Sequence, residues 1–306
     1  MKLDPQVAAL LDTLDAGFPP VHEMTGEQAR ALIRSRLVVP DEPEHVAEVV
    51  DELVSGPDGD IPVRIYRPAG DGLPVLVYAH GGGFVFCDLD SHDGLCRSIA
   101  NLIPAVVVSV GYRLAPEHPW PAAAEDVYAV AGLAANGVFG GDRGRIVVGG
   151  DSAGGNLAAV AALMSRDRGG PDLDGQLLIY PVIAADFDTE SYRLFGRGYY
   201  NPKPAMQWYW DQYVPGVADR RHPYATPLHG DLHGLPPAVF VIAGHDPLRD
   251  EALKYAATLD SAGVPVARIY IEGAIHGFMS IPALDIAYEA RKRACAQVAA
   301  MVGVAD

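Results

Sequence analysis

The chain has 306 residues, 49% hydrophobic, with 39 acidic against 23 basic side chains for a net charge of −16. This length and composition fit one large α/β domain with a substantial core, and the acidity argues against a nucleic-acid partner, whose phosphates demand Lys/Arg patches. Three cysteines, Cys87, Cys96 and Cys295, lack Cys-x-x-Cys spacing, so neither a zinc site nor a disulfide framework is implied and a cytoplasmic, reducing compartment fits; the start shows no signal-peptide pattern, and no apolar run reaches the ~20 residues that span a bilayer.

Residues 4–37 read as two amphipathic helices, one through Val7, Leu10, Leu11 and Leu14, the other through Ala29, Leu32, Ile33 and Leu37, with Pro19-Pro20 between them. From about His45 the pattern turns to strands, at residues 45–50 and 61–66. The apolar run 74–79 is a further strand, and His80-Gly81-Gly82-Gly83-Phe84 follows it directly. Three consecutive glycines are costly to order. They make sense where backbone N–H groups must face a ligand, as in an oxyanion hole, where removing one preorganised donor typically costs about 3–4 kcal/mol. A phosphate cradle is the weaker reading, because no Gly-Lys-Ser/Thr follows.

A helix near 91–102 and a strand at 105–110 lead into Tyr112-Arg113-Leu114-Ala115-Pro116-Glu117-His118-Pro119-Trp120-Pro121. Its prolines stop the strand and launch a helix at 121–135. Glu117 and His118 look like an acid/base pair, but the expectation is a structural brace behind the site. The strand at 145–149 ends in Gly150-Asp151-Ser152-Ala153-Gly154, and a helix at 154–166 follows. A serine on such a turn is strained, with its hydroxyl pushed out above the sheet, and the helix N-terminus aims N–H groups at the same place.

After the strand at 177–182, alternation stops until about Ala238. A structureless loop of that length is improbable, so two or more helices are expected, packed with the N-terminal pair as a cap. Its many aromatics include Tyr199 and Trp208. These two and Phe84 are candidates to line the acyl or alcohol pocket, although Trp and Tyr also suit simple packing. The strand at 238–243 ends in Gly244-His245-Asp246-Pro247, a helix covers 248–262, and the strand at 267–271 leads to Ile275-His276-Gly277-Phe278 before a last helix at 284–302.

A serine needs a base, and the base an orienting acid. Of ten histidines, His276 lies beyond a strand's carboxyl end between glycines, where the crevice of an α/β sheet opens. Asp246 sits at the end of the preceding strand; Asp250 is its rival, read with Glu251 as a helix-start residue. His80 braces the glycine loop, and His92 and the other histidines are read as solvated or locally bonded. The order serine, acid, histidine is that of the α/β-hydrolase triad.

With five motifs in order over residues 60–300, the chain resembles the bacterial hormone-sensitive-lipase-like family of α/β-hydrolase esterases. The resemblance implies an α/β-hydrolase fold, a mostly parallel central sheet flanked by helices with a helical cap. Residues 1–45 would be the N-terminal cap helices, 46–185 and 236–306 the catalytic domain, and 186–235 the cap insertion. It implies Ser152 as nucleophile, Asp246 as acid, His276 as base, and the N–H groups of Gly82, Gly83 and Ala153 as oxyanion donors. The expected activity is that of a serine carboxylesterase on short- to medium-chain acyl esters, needing no cofactor or metal. A same-fold hydrolase for an acetylated, amide or carbamate substrate is the alternative. A ligand-binding receptor like the plant gibberellin receptors, which lack a working base, is the less favoured one. The family also allows a homodimer through the strand near 264–271.

Overall fold

The computed structural model describes residues 2–304, and among these eight strands form one sheet in the order β1-β2-β4-β3-β5-β6-β7-β8. β1 (Glu48–Gly56) and β2 (Gly59–Arg67) make an antiparallel hairpin, and β2 runs antiparallel to β4 (Val106–Val110). The rest is parallel: β4, β3 (Val75–Ala79), β5 (Ile146–Asp151), β6 (Gly175–Ile179), β7 (Ala238–His245) and β8 (Val266–Ile275). Strands covered on both faces explain why β3 to β7 read as unbroken apolar runs. Within β3, Val75, Val77 and Ala79 enter one core while Leu76 and Tyr78 enter the other. The first core is completed by α4 (Ala122–Ala135), α5 (Ala153–Arg168) and α8 (Arg249–Ser261), and the second by α1 (Pro5–Gly17), α3 (Asp93–Leu102) and α9 (Asp285–Met301).

Helix starts follow local chemistry. Asp4 accepts from Gln6 and Val7 N–H with Pro5 in the first turn of α1, and Thr25 and Gln28 form a reciprocal capping box on α2 (Gly26–Ser35). α5 is buried on every side from Ala153 to Ser165, a stretch that is small or apolar apart from Asn156 and Ser165. A Cβ on its Gly154 would collide with the Ala79 carbonyl of β3, so glycine there permits the close seat.

The expected helices appear within a residue or two of their predicted limits. Two strands differ. β1 begins at Glu48 rather than 45 and runs on into the hairpin. β6 covers 175–179 rather than 177–182: Tyr180 still donates its N–H to Val241 O at 2.7 Å, but its turn to φ 33° ends the strand.

The long interruption holds α6 (Glu190–Phe195) and α7 (Lys203–Tyr213) with short turns at 219–221 and 227–229. It meets the N-terminal helices: Phe18 packs edge-on against Tyr200 at 5.3 Å, and Tyr200 N–H donates to Asp15 Oδ1 at 3.0 Å.

Candidate active site

Strand order places the chemistry. The chain leaves β3 for β4 on one side and β5 for β6 on the other, so the sheet's switch point lies between β3 and β5, where α/β sheets open a crevice at the strands' carboxyl ends. Ala79 of β3 is level with Gly150 of β5, so the glycine loop and Ser152 emerge side by side. His245 of β7 is level with Ile275 of β8, so Asp246 and His276 also emerge as neighbours.

Ser152 is held at φ 54°, ψ −116° at the junction of β5 and α5, a conformation a non-glycine residue keeps only under constraint. Its N–H donates to Ile179 O at 2.9 Å, and its carbonyl accepts from Val182 N–H at 3.0 Å. The Ser152 hydroxyl donates to His276 Nε2 at 2.9 Å, and His276 Nδ1–H donates to Asp246 Oδ2 at 2.7 Å. Leu248 N–H donates to Asp246 Oδ1 at 2.8 Å. Asp246 is 1% exposed, while Ser152 and His276 keep 9% and 8%, so the carboxylate is sealed and the serine hydroxyl and imidazole are just reachable. This line holds the imidazole proton on Nδ1 and leaves Nε2 to take the serine proton.

The rival acid Asp250 is engaged elsewhere: Oδ2 accepts from Ser191 N–H at 2.8 Å and Oδ1 from Arg249 Nε at 2.8 Å. His245 turns to the Glu272 carbonyl at 2.9 Å.

Gly82 and Gly83 have φ 113° and 58°, angles that favour glycine. Their N–H groups and that of Ala153 have no acceptor among the described residues. The first glycine differs: Gly81 N–H donates to Asp151 Oδ1 at 3.0 Å. Asp151 Oδ1 also accepts from Tyr78 Oη at 2.8 Å, and His92 Nε2 lies 3.2 Å away. Burial works against this carboxylate's charge, yet the His92 ring and the Tyr78 hydroxyl hold it below the usual carboxylate range. Burial and the same charge push Tyr78 well above its ordinary value, so the phenol stays a donor. His80 donates Nδ1–H to Gly81 O at 2.7 Å and stacks on Tyr112 at 4.3 Å. Burial and the neighbouring His92 push its pKa down to about 4, so it is neutral.

Of the two readings for His92, the solvated one is corrected: the ring is buried, 3.0 Å from Ser91 Oγ, and bonded to Asp151 at the base of the glycine loop. Asp151 carried no sequence signal beyond its place before the serine. Glu251 is also more than a helix-start residue. It is buried, with Oε1 accepting from Ile183 and Ala184 N–H at 2.7 and 3.2 Å, and burial holds it well above the usual carboxylate range. It fixes the loop whose Val182 binds Ser152.

The stretch from Tyr112 to Pro121 braces the loop. Tyr112 Oη donates to His80 O at 2.8 Å, Arg113 pairs with buried Asp126 at 2.8 Å, and Glu117 pairs with Arg30 of α2 at 2.6 Å.

Of the residues expected at the pocket, Phe84 is fully buried and stacked on Tyr213 at 3.8 Å. Tyr199 stacks on His245 at 5.7 Å, and Trp208 meets Tyr209 edge-on at 5.6 Å. Tyr209, not singled out as a pocket candidate, covers Gly83: a Cβ there would enter its ring. A cavity of about 1840 Å³ lies between the N-terminal helices and α3. Phe84, Tyr199 and Trp208 are absent from its wall, which includes Cys87 and Tyr200. Cys87 abuts Gly82 and Tyr200 abuts Gly277, so the cavity comes up against the catalytic loops.

Comparison with known proteins agrees with this geometry. A family model described as an alpha/beta hydrolase fold matches residues 76–280. The carboxylic ester hydrolase LipN of Mycobacterium tuberculosis is 43% identical over 263 residues, covering 83% of this chain and 70% of that protein. The carboxylesterase NlhH of the same organism is 42% identical over 289 residues, covering 91% and 89%. The structure of a hyperthermophilic esterase from the archaeon Pyrobaculum calidifontis superposes with a TM-score of 0.93 at 40% identity, over 100% of both chains.

Proposed function

The chain belongs to the α/β-hydrolase family, in its hormone-sensitive-lipase-like branch, and on that premise we propose that Ser152, His276 and Asp246 hydrolyse carboxylic esters through an acyl-enzyme. The protein is a serine carboxylesterase acting on small-molecule esters. The observation that carries the residue roles is the single imidazole joined to both Ser152 and Asp246, beside three N–H groups without an acceptor.

His276 Nε2 takes the hydroxyl proton as Ser152 Oγ attacks the ester carbonyl, and Asp246 stabilises the imidazolium. The carbonyl oxygen gathers negative charge against the N–H groups of Gly82, Gly83 and Ala153, which cost nothing to reorganise. His276 then protonates the leaving alcohol. A water, deprotonated by the same nitrogen, attacks the acyl carbon, and collapse of that second intermediate frees the acid and restores Ser152. Acyl groups of short to medium length are the expected substrates. Residues 2–45 and 186–235 act as the cap over residues 46–185 and 236–304. Among the described residues no helix is long and apolar enough to cross a membrane. The three free thiols support a cytoplasmic setting. β8 ends the sheet and its open edge supports a homodimer, which elution volume tests.

The deciding experiment compares hydrolysis of p-nitrophenyl esters from acetate to laurate by wild type and Ser152→Ala. Activity peaking at short chains and lost in the variant is expected. A folded protein inactive on all of them would overturn the reading.

A further inference from the structure

Among the described residues, two arginines in the wall of the large cavity, Arg36 and Arg291, have no carboxylate partner. At about 1840 Å³ the cavity exceeds the roughly 300–1,000 Å³ of ordinary small-ligand pockets, so it has room for far more than a short acyl group. Most arginines in its wall are neutralised. Arg30 pairs with Glu117 at 2.6 Å, Arg34 with Asp88 at 2.9 Å, Arg64 with Asp51 at 2.6 Å and Arg97 with Asp93 at 2.6 Å. Arg36 caps the Gly17 carbonyl on the N-terminal helix.

Unlike Arg36, Arg291 of α9 keeps a buried donor, Nε, without a hydrogen-bond partner. Its Nη1 donates to Met279 O at 2.6 Å, its guanidinium lies 5.9 Å from the Tyr288 ring centre, and no carboxylate pairs with it among the described residues. Burial pushes its pKa down. The charge of Glu44 opposes that shift, but Glu44 Oε1 accepts its hydrogen bond from Asn101 Nδ2 at 2.7 Å. A guanidinium has five donors in a planar fork suited to carboxylate or phosphate, and an uncompensated, partly buried charge is costly. Met279, which it grips, stands three residues after His276 and shares the cavity wall with it. The cation therefore lies beside the turn that carries the base.

We infer that the cavity receives the remote arm of an ester that ends in an ionised acidic group, and that Arg291 pairs with that group. This inference rests on the ester-hydrolase reading and names its substrate class. The cleaved bond and the acyl-enzyme chemistry are unchanged.

The test uses two matched pairs. Mono-p-nitrophenyl adipate against p-nitrophenyl hexanoate places the charge on the acyl arm; acetoxyhexanoate against hexyl acetate places it on the alcohol arm. In at least one pair the wild type should show a KM about tenfold lower for the charged member, the size of one good charge-assisted pair. Arg291→Gln should abolish that ratio and Arg291→Lys should restore part of it. The uncharged member measures whatever is lost through slack at Met279, so a purely structural arginine would lower both members equally and overturn the inference. Should Arg291→Gln fail to fold, raising ionic strength on the wild type must shrink the ratio; a ratio indifferent to salt, or no preference in either pair, overturns it too. Failure to cleave any of the four esters would sink the hydrolase reading instead.

Discussion

Replacing Asp151 by alanine separates the scaffold of the oxyanion loop from its chemistry. Three groups converge on this carboxylate: Tyr78 Oη at 2.8 Å, Gly81 N–H at 3.0 Å and His92 Nε2 at 3.2 Å. Two buried side chains, Tyr78 and His92, lose a partner in the variant. At about 1–3 kcal/mol each the variant should lose about 2–6 kcal/mol of stability. At roughly 2 °C per kcal/mol this lowers the melting point by about 4–12 °C. The same loss unties Gly81, and Gly82 and Gly83 follow it directly. Removing one oxyanion donor costs about 10²–10³ in kcat, so a slackened loop should cost about 10–100-fold in kcat with KM little moved. Steady-state kinetics on p-nitrophenyl butyrate beside a thermal melt would measure both. A lower melting point with an unchanged kcat would refute the link from Asp151 to the oxyanion hole, and no change in either would show that the network carries nothing.

Asp246→Asn should cut kcat by about 10⁴-fold at pH 7 by losing the tautomer that frees Nε2, whereas Asp250→Asn should stay within about tenfold; equal losses would reinstate the rival acid. Gly83→Ala forces φ 58° on an alanine and drives its Cβ into the Tyr209 ring; kcat should fall by about tenfold or more, and wild-type turnover would remove Gly83 from the site. Glu251, raised well above its ordinary 4.5 by burial and by Asp246 and Asp186, binds its proton more tightly folded than unfolded. Its stabilising contribution is therefore whole below pH 4.5 and declines as pH rises. Glu251→Gln keeps an oxygen for Ile183 and Ala184 N–H, so melting curves from pH 4.5 upward should show a shallower alkaline decline than wild type; parallel curves would contradict the raised value.

The sequence alone determined the order of strands and helices, because apolar periodicity and Gly/Pro punctuation are local. It also singled out Ser152, Asp246 and His276 as candidates, since each stands at the end of a strand in a short, distinctive motif. The contacts that tie Asp151, Tyr78, His92 and Gly81 together were not legible. They join two strands, the glycine loop and the start of a helix through the register of β3 with β5, and nothing local distinguishes buried His92 from a solvated histidine. The same holds for Glu251, whose burial depends on the loop after β6 folding over it. Tertiary structure also decided which cap aromatics face which surface. Phe84, Tyr199 and Trp208 have the composition of pocket residues, but packing direction is set by the neighbours that α6 and α7 meet, and those neighbours come from distant parts of the chain.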